Sequence, residues 1–377
     1  MKIIKYILIT IFLILLTGCE THKEISDLGM VSALGIEKID NKYLISVQVA
    51  NIKKSTKMGT DNSSKVTLYT GIGNTSFEAI REISNKSSKK LYFPHNKLII
   101  ISSEIINEDP KQIIDFYTRD NEGNMNAYVL ISVENTPNEI LSTITSFEDV
   151  PAMYIYNSLL LSESSYGNTT TTTFEDYVKY IINNSSPTFT KISLTNNNEL
   201  KNNTNILNSI ELPTYIKLGN ILVFNNKKLT ELTREESIIY NLLKSKGSNS
   251  IITLRCSNKK YYTLELLNNS SKVNYNSKEK ALLINLNLTY SISEYNCDES
   301  LLNDNVVNNI KEDIKSKIIK EINNLINKSI QYKSNFINFE KIKSIEELSK
   351  TNIKYDIKIN LENRGDLLNR IKEGRNE

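Results

Sequence analysis

Residues 281–293, ALLINLNLTYSIS, and residues 301–330, LLNDNVVNNIKEDIKSKIIKEINNLINKSI, decide the fold class. In the first, Leu282, Ile284, Leu286, Leu288 and Tyr290 alternate with other residues, the period-2 pattern of a strand with one covered face. In the second, Val307, Ile310, Ile314, Ile318, Ile322 and Leu325 share a face about 120° wide at about 100° per residue, with Asn309, Ser316, Lys320 and Asn327 opposite. A helix with that stripe needs a sheet or another helix to cover it. Strands are also expected at 250–256, 260–267 and 353–361, so the C-terminal part reads as an antiparallel sheet packed on one long helix.

Upstream, residues 28–38 and 42–50 are apolar and β-rich, and Ile39-Asp40-Asn41 between them is a turn signal, so they read as a hairpin. Residues 51–65 read as a polar loop and Val66–Thr70 as a strand. Thr75-Ser76-Phe77-Glu78 looks like a capping box opening a helix with Phe77, Ile80 and Ile83 on its covered face. Leu98–Ser102 reads as a strand, and Tyr128–Val133 as a central one. A helix bearing Ile113, Ile114 and Tyr117 stands between them after Pro110. Helices follow at 152–162 and at Phe174–Ile182, the latter capped by Thr173, with Thr169–Thr173 a low-complexity run between them. The Asn-rich stretch 195–209 marks the best boundary. Beyond it lie Tyr215–Leu218 and Asn220–Phe224, either a strand pair or one strand bent at Gly219. Thr233-Arg234-Glu235-Glu236 then opens a helix through Leu243.

The expected fold is α+β in two to three domains. Residues 1–18 form a leader. Residues 19–205 form an N-terminal α+β part, either one unit or two divided near 150, and residues 206–377 form a C-terminal α+β part.

The leader carries Lys2 and Lys5, then an apolar run from Ile7 to Leu16, the layout of a secretory signal peptide. The run is shorter than the ~20 residues a membrane span requires. Leu16-Thr17-Gly18-Cys19 resembles the lipobox of bacterial lipoproteins, in which the Cys19 thiol takes a thioether-linked diacylglycerol. Two acyl chains anchor stably, because each buried CH₂ contributes about 0.8 kcal/mol.

Lysine and arginine total 46 and aspartate and glutamate 43, so there is no electrostatic footprint for nucleic acid. The histidines, His22 and His95, are isolated, and no cysteine spacing supports zinc, so neither a metal nor a cofactor is expected. Cys256 and Cys297 either pair in an oxidising compartment or stand as two buried thiols. Phosphate-loop, nucleophile-elbow and zinc-protease motifs are missing, and Gly71-Ile72-Gly73 lacks the third glycine of a dinucleotide fingerprint. An enzyme is therefore not expected. Asp115, Arg119 and Asp120 are the candidate partner-contact residues. Asp115 and Arg119 at i, i+4 also suit a plain surface ion pair.

Several segments resemble one family, the C subunits of bacterial spore germinant receptors, often written Ger(x)C. Glu24-Ile25-Ser26-Asp27-Leu28 leading to Gly35-Ile36-Glu37-Lys38 is similar to the family's E-I-x-D-L and G-I-D-K segments. Asp115-Phe116-Tyr117-Thr118-Arg119-Asp120 resembles its D-F-x-x-R-D helix end. Gly219–Phe224 with Lys228-Leu229 and Leu232–Glu236 resembles its third segment. The long helix followed by Ser334–Phe339 resembles its A-D-I-F-G-F-G segment, with the glycines near Asn338 replaced. The tryptophan common after the lipid-bearing cysteine is replaced by Glu20 and Thr21.

The resemblance implies three α+β domains, no catalytic residues, and a position on the outer face of the inner spore membrane. It implies membrane-embedded A and B subunits as partners in a complex that senses nutrients and triggers germination. The alternative is a solute-binding lipoprotein of a transporter, which would show two similar lobes around a cleft. The change of character after residue 210 argues against it, and the missing catalytic constellation argues against a cell-wall hydrolase.

Overall fold

A computed structural model describes residues 27–51, 65–119, 123–183, 185–195, 214–225, 228–256, 259–339, 341–342 and 344–362. β1 (Leu28–Ile39) and β2 (Lys42–Ala50) form the expected hairpin, paired from Met30↔Ala50 to Ile39↔Lys42. Asp40 and Asn41 between them have φ of 50° and 62°. Two consecutive left-handed residues make the tight turn whose twist suits antiparallel strands, and Asp and Asn tolerate that region better than other non-glycine residues. β3 (Val66–Gly73) adds antiparallel to β2.

α1 (Ser76–Ile83) folds back onto β3. A Cβ at Gly71 would stand 2.0 Å from Ala79 O, and one at Gly73 2.5 Å from Ala79 N. The two glycines therefore serve a close helix-on-strand contact. Thr75 Oγ1 caps the helix by accepting from Glu78 N at 3.1 Å, but the Glu78 carboxylate accepts from Asn74 N at 2.8 Å, one residue before the expected position. Phe77, expected on the covered face, is 47 % exposed and lies beside Arg81. Ala79, Ile80 and Ile83 meet the sheet instead, because they form the contiguous i, i+1, i+4 stripe.

β4 (Lys90–Tyr92) and β5 (Leu98–Ser102) run parallel to β1. α2 (Ser103–Glu108) and α3 (Gln112–Arg119) lead to β6 (Tyr128–Ser132), parallel to β5. α4 (Pro137–Leu141), α5 (Pro151–Ser165) and α6 (Phe174–Ile182) precede β7 (Thr188–Thr195), which is parallel to β6. β8 (Tyr215–Asn225) returns antiparallel to β7, and β9 (Lys228–Glu231) turns back on β8. The order across the sheet is β3-β2-β1-β5-β6-β7-β8-β9, with β4 also beside β1.

Neither residue 150 nor residue 205 separates one sheet from another: both fall in connections between strands of this sheet, and β7 and β8 on either side of the Asn-rich stretch are hydrogen-bonded neighbours. The stretch Tyr215–Asn225 is one strand. Gly219 and Asn220 together oppose Lys191 where the register shifts, a β-bulge that bends it.

Helices cover both faces of this sheet, as buried central strands require. Leu98, Ile99, Ile100 and Ile101 of β5 are all fully buried. Ile99 and Ile101 join the core under α1, α2, α3 and α6, and Leu98 and Ile100 the core under α4 and α5.

α7 (Arg234–Leu243) leads into a second sheet of β10 (Ile251–Arg255), β11 (Tyr261–Asn276), β12 (Ala281–Tyr295) and β13 (Asn352–Glu362). α8 (Asp304–Gln331) and α9 (Ile345–Ser349) precede β13. β10, β11 and β12 are antiparallel as expected, but β13 joins β12 in parallel, from Ala281↔Asn352 to Ser291↔Glu362. The reason is reach. α8 has 28 residues, about 42 Å at ~1.5 Å each, and so returns the chain nearly the length of the 15-residue β12 to the end where β12 began. β11 runs on to Asn276 because its polar second half still pairs with β12. Ile310, Ile314, Ile318, Ile322 and Leu325 of α8 pack on Leu282, Ile284, Leu286, Leu288 and Tyr290, so the two quoted stretches cover one another. Cys256 and Cys297, just beyond β10 and β12, are joined as a disulfide with Cα atoms 6.2 Å apart.

Candidate functional site

Cys19 and Asp120 lie outside the described residues. Asp115 and Arg119 sit on the outer face of α3, where Arg119 Nε donates to Asp115 Oδ1 at 2.7 Å with side chains 78 % and 71 % exposed. A pair that open to water contributes a few tenths of a kcal/mol at most. What holds α3 is its inner face, where Ile113 and Tyr117 are buried and Ile114 is half-buried. Tyr117 OH donates to Asn124 O at 3.2 Å and accepts from Asn124 N at 3.1 Å, tying Asn124 to the helix. At the other end of the helix, Gln112 Oε1 accepts from Tyr43 OH at 2.9 Å.

Beside Tyr43, Lys38 meets Glu108 of α2. Burial opposes the Lys38 charge, but the hydrogen bond to Glu108 together with the charges of Tyr43, Glu108 and Glu104 outweighs it and holds the ammonium above its usual range. Hydrogen bonds from Lys38 and Gln112 keep Glu108 below the ordinary carboxylate range. The helix covering one face of the first sheet thus presents the Asp115–Arg119 pair outward, and its position is fixed from beneath.

A second constellation, which composition did not reveal, joins the two sheets. From Glu236 to Leu243 every residue of α7 is buried. Tyr240 OH lies 3.0 Å from Thr188 Oγ1 and 3.3 Å from Tyr180 OH, and burial pushes its phenol well above the usual range. Asn241 Nδ2 donates to Gly167 O at 2.9 Å and Thr169 O at 2.6 Å. Lys328 of α8 reaches Glu236 Oε1 at 2.5 Å.

The threonine run, which looked like low complexity, is a strap across the first sheet. Thr170 N donates to Thr190 Oγ1 at 2.8 Å, Thr190 Oγ1 to Thr170 O at 2.7 Å, and Thr172 Oγ1 to Thr188 O at 2.8 Å.

The segment after α8 completes the junction. Phe336, Ile337 and Phe339 are buried, Ser185 Oγ donates to Asn338 Oδ1 at 2.9 Å, and Ser334 Oγ to Ser186 Oγ at 2.8 Å. Asn338 has φ of 50°, so the glycine expected there is replaced by the residue type that best tolerates the left-handed region. These hydrogen bonds tie the second sheet to the first through buried polar groups, although Asn241 Oδ1 and Thr169 Oγ1 are buried without a partner.

Among the described residues no group of three or more His, Cys, Asp or Glu is placed to hold a metal ion. No helix among them is long and apolar enough to cross a membrane.

The architecture is that of a two-sheet α+β protein whose candidate residues are surface charges and a buried polar junction. Residues 21–194 match the family described as the spore germination protein N-terminal domain, and residues 219–365 match spore germination B3/GerAC like, C-terminal. The chain belongs to this family of spore germination proteins. It is 26 % identical over 189 residues to spore germination protein KC of Bacillus subtilis (strain 168), which is 48 % of this chain and 46 % of that protein. It is 27 % identical over 169 residues to putative spore germination protein YfkR of the same organism, 43 % of each chain. The matched region thus spans under half the length of either relative. The crystal structure of the GerBC protein has the same fold, with a TM-score of 0.51 at 13 % identity, covering 87 % of this chain and 96 % of that one. The two family matches end and begin at 194 and 219, on either side of the Asn-rich stretch, although the first sheet continues across it.

Proposed function

We propose that this protein is the lipid-anchored C subunit of a spore germinant receptor and acts by protein–protein contact with the membrane-embedded A and B subunits. The observation that carries the reading is the match of both family domains in order along most of the chain. The anchor rests on the leader and lipobox, with diacylglycerol on Cys19 holding the chain to the outer face of the inner spore membrane. A disulfide between Cys256 and Cys297 suits an oxidising compartment and so supports export.

Within this reading the segment Asp115–Asp120 is a contact for another subunit. The support is energetic: an ion pair as exposed as Asp115–Arg119 does little for the fold, whereas arginine is enriched among residues that dominate binding interfaces. Arg119→Ala should leave the melting temperature unchanged within error and weaken co-purification of the other subunits from spore membranes. Unchanged co-purification with normal melting would make the pair an ordinary solvated surface feature.

A further inference from the structure

Between α5 and the bulged part of β8 lies a cleft of about 600 Å³, within the range of small-molecule sites. One wall is the C-terminal end of α5, with Leu161 and Tyr166 65 % and 45 % exposed, and the other is Lys217 to Asn220 of β8. Arg234 closes one end, its guanidinium carbon 4.1 Å from the centroid of the Tyr166 ring.

The hydrogen bonding of Arg234 is incomplete. Nη2 donates to Ile251 O at 3.3 Å, and Nε is buried without an acceptor. An arginine carries five N–H donors in a planar fork that suits a carboxylate. No carboxylate among the described residues forms an ion pair with Arg234 or with Lys217. The acid that also borders the cleft, Glu231, is already occupied: Lys191 stands 3.0 Å from it, and it accepts from Asn220 N at 3.2 Å. The first turn of α7 is satisfied by its own cap, with Thr233 Oγ1 accepting from Glu236 N and the Glu236 carboxylate from Thr233 N. Recognition of an anion therefore falls to the two cationic side chains.

We propose that this cleft binds a small carboxylic acid in its ionised form, with the carboxylate on Arg234 and Lys217 and the apolar body against Tyr166, Leu161 and Leu218. Stacking on Tyr166 sets the guanidinium at the end of the cleft, and Nη1, neither hydrogen-bonded nor among the buried atoms, is the group left to meet the ligand. The inference does not depend on the proposed receptor role.

The test uses the full chain in detergent with acetate, butyrate and benzoate as probes and benzamide as the neutral match to benzoate. Calorimetry on the unsubstituted chain should show saturable binding of at least one acid and none of benzamide. Arg234→Gln should weaken that binding at least about tenfold, as loss of a charge-assisted contact implies. The proposal is overturned if none of the three acids binds the unsubstituted chain, if benzamide binds as well as benzoate, or if Arg234→Gln keeps full affinity. Should Arg234→Gln fail to fold, the comparison of benzoate with benzamide on the unsubstituted chain decides alone.

Discussion

Replacing both Cys256 and Cys297 by serine removes a cross-link between residues 41 apart in sequence. Closing a loop of that length costs the unfolded chain about 13 cal/mol/K, or about 4 kcal/mol near room temperature, in the chain-entropy treatment. The structure makes that an upper value. The cysteines straddle the start of β11, where Cys256 N donates to Lys260 O at 2.9 Å, Asn296 N to Tyr261 O at 3.1 Å, and Tyr262 pairs with Tyr295. Any part of these pairings kept by the unfolded chain shortens the loop in advance, so a loss of about 2–4 kcal/mol is expected. Chemical denaturation of the wild type and the double variant measures it as a lower midpoint for the variant. Each single serine variant should match the double one, because one cysteine alone restores no constraint. Peptide mapping without reductant should recover the two cysteines in one linked fragment. Identical midpoints, or recovery of both as free thiols, would refute the reasoning and return them to two buried cysteines.

Two further outcomes follow from other parts of the chain. Cys19→Ala should move the protein out of the membrane fraction or leave its leader uncleaved, and normal processing with wild-type membrane retention in cells lacking the other subunits would count against the lipid anchor. Glu37 on β1 is only 5 % exposed, and burial raises its pKa above the ordinary carboxylate range, with Asn138 N donating to it at 3.5 Å. The folded state therefore holds this proton more tightly than the unfolded chain, so the stability the group contributes is full below about pH 4.5 and is lost as pH rises through the folded pKa. Glu37→Gln should accordingly raise the melting temperature at neutral pH, with the gain shrinking toward acid. A lower melting temperature at neutral pH would contradict that sign.

Much of the fold was legible where one local pattern decided the structure. The stripe on α8 and the alternation on β12 each named their own covered face, and Thr233 and Thr173 cap their helices with the acid three residues on closing the box. What escaped was decided by partners distant in sequence. The parallel pairing of β13 depends on the length of α8 as well as on its own residues. The second half of β11, Asn268 to Asn276, has polar composition that hides a strand until β12 is placed beside it. The threonine run reads as low complexity because its partners, Thr188 and Thr190 on β7, lie outside any local window. The candidate contact residues were legible only as charges at helical spacing. The exposure of Asp115 and Arg119 follows from Ile113 and Tyr117 turning the opposite face of α3 to the sheet. Arg234 was legible only as part of the helix opening Thr233–Glu236, since the cleft it closes is assembled from α5, β8 and α7.

The account rests most directly on membership of a receptor complex. Spores carrying an affinity-tagged copy of the full chain, lysed and separated into membrane and soluble fractions, provide the measurement, with mild detergent extraction and mass spectrometry of what the tag retains. The account predicts that the chain is found in the inner-membrane fraction, carries diacylglycerol on Cys19, and brings down two membrane-embedded subunits at near-equal amounts. Recovery of the chain with a permease and an ATPase instead would support the solute-binding alternative. Recovery without any membrane protein partner would contradict the central claim.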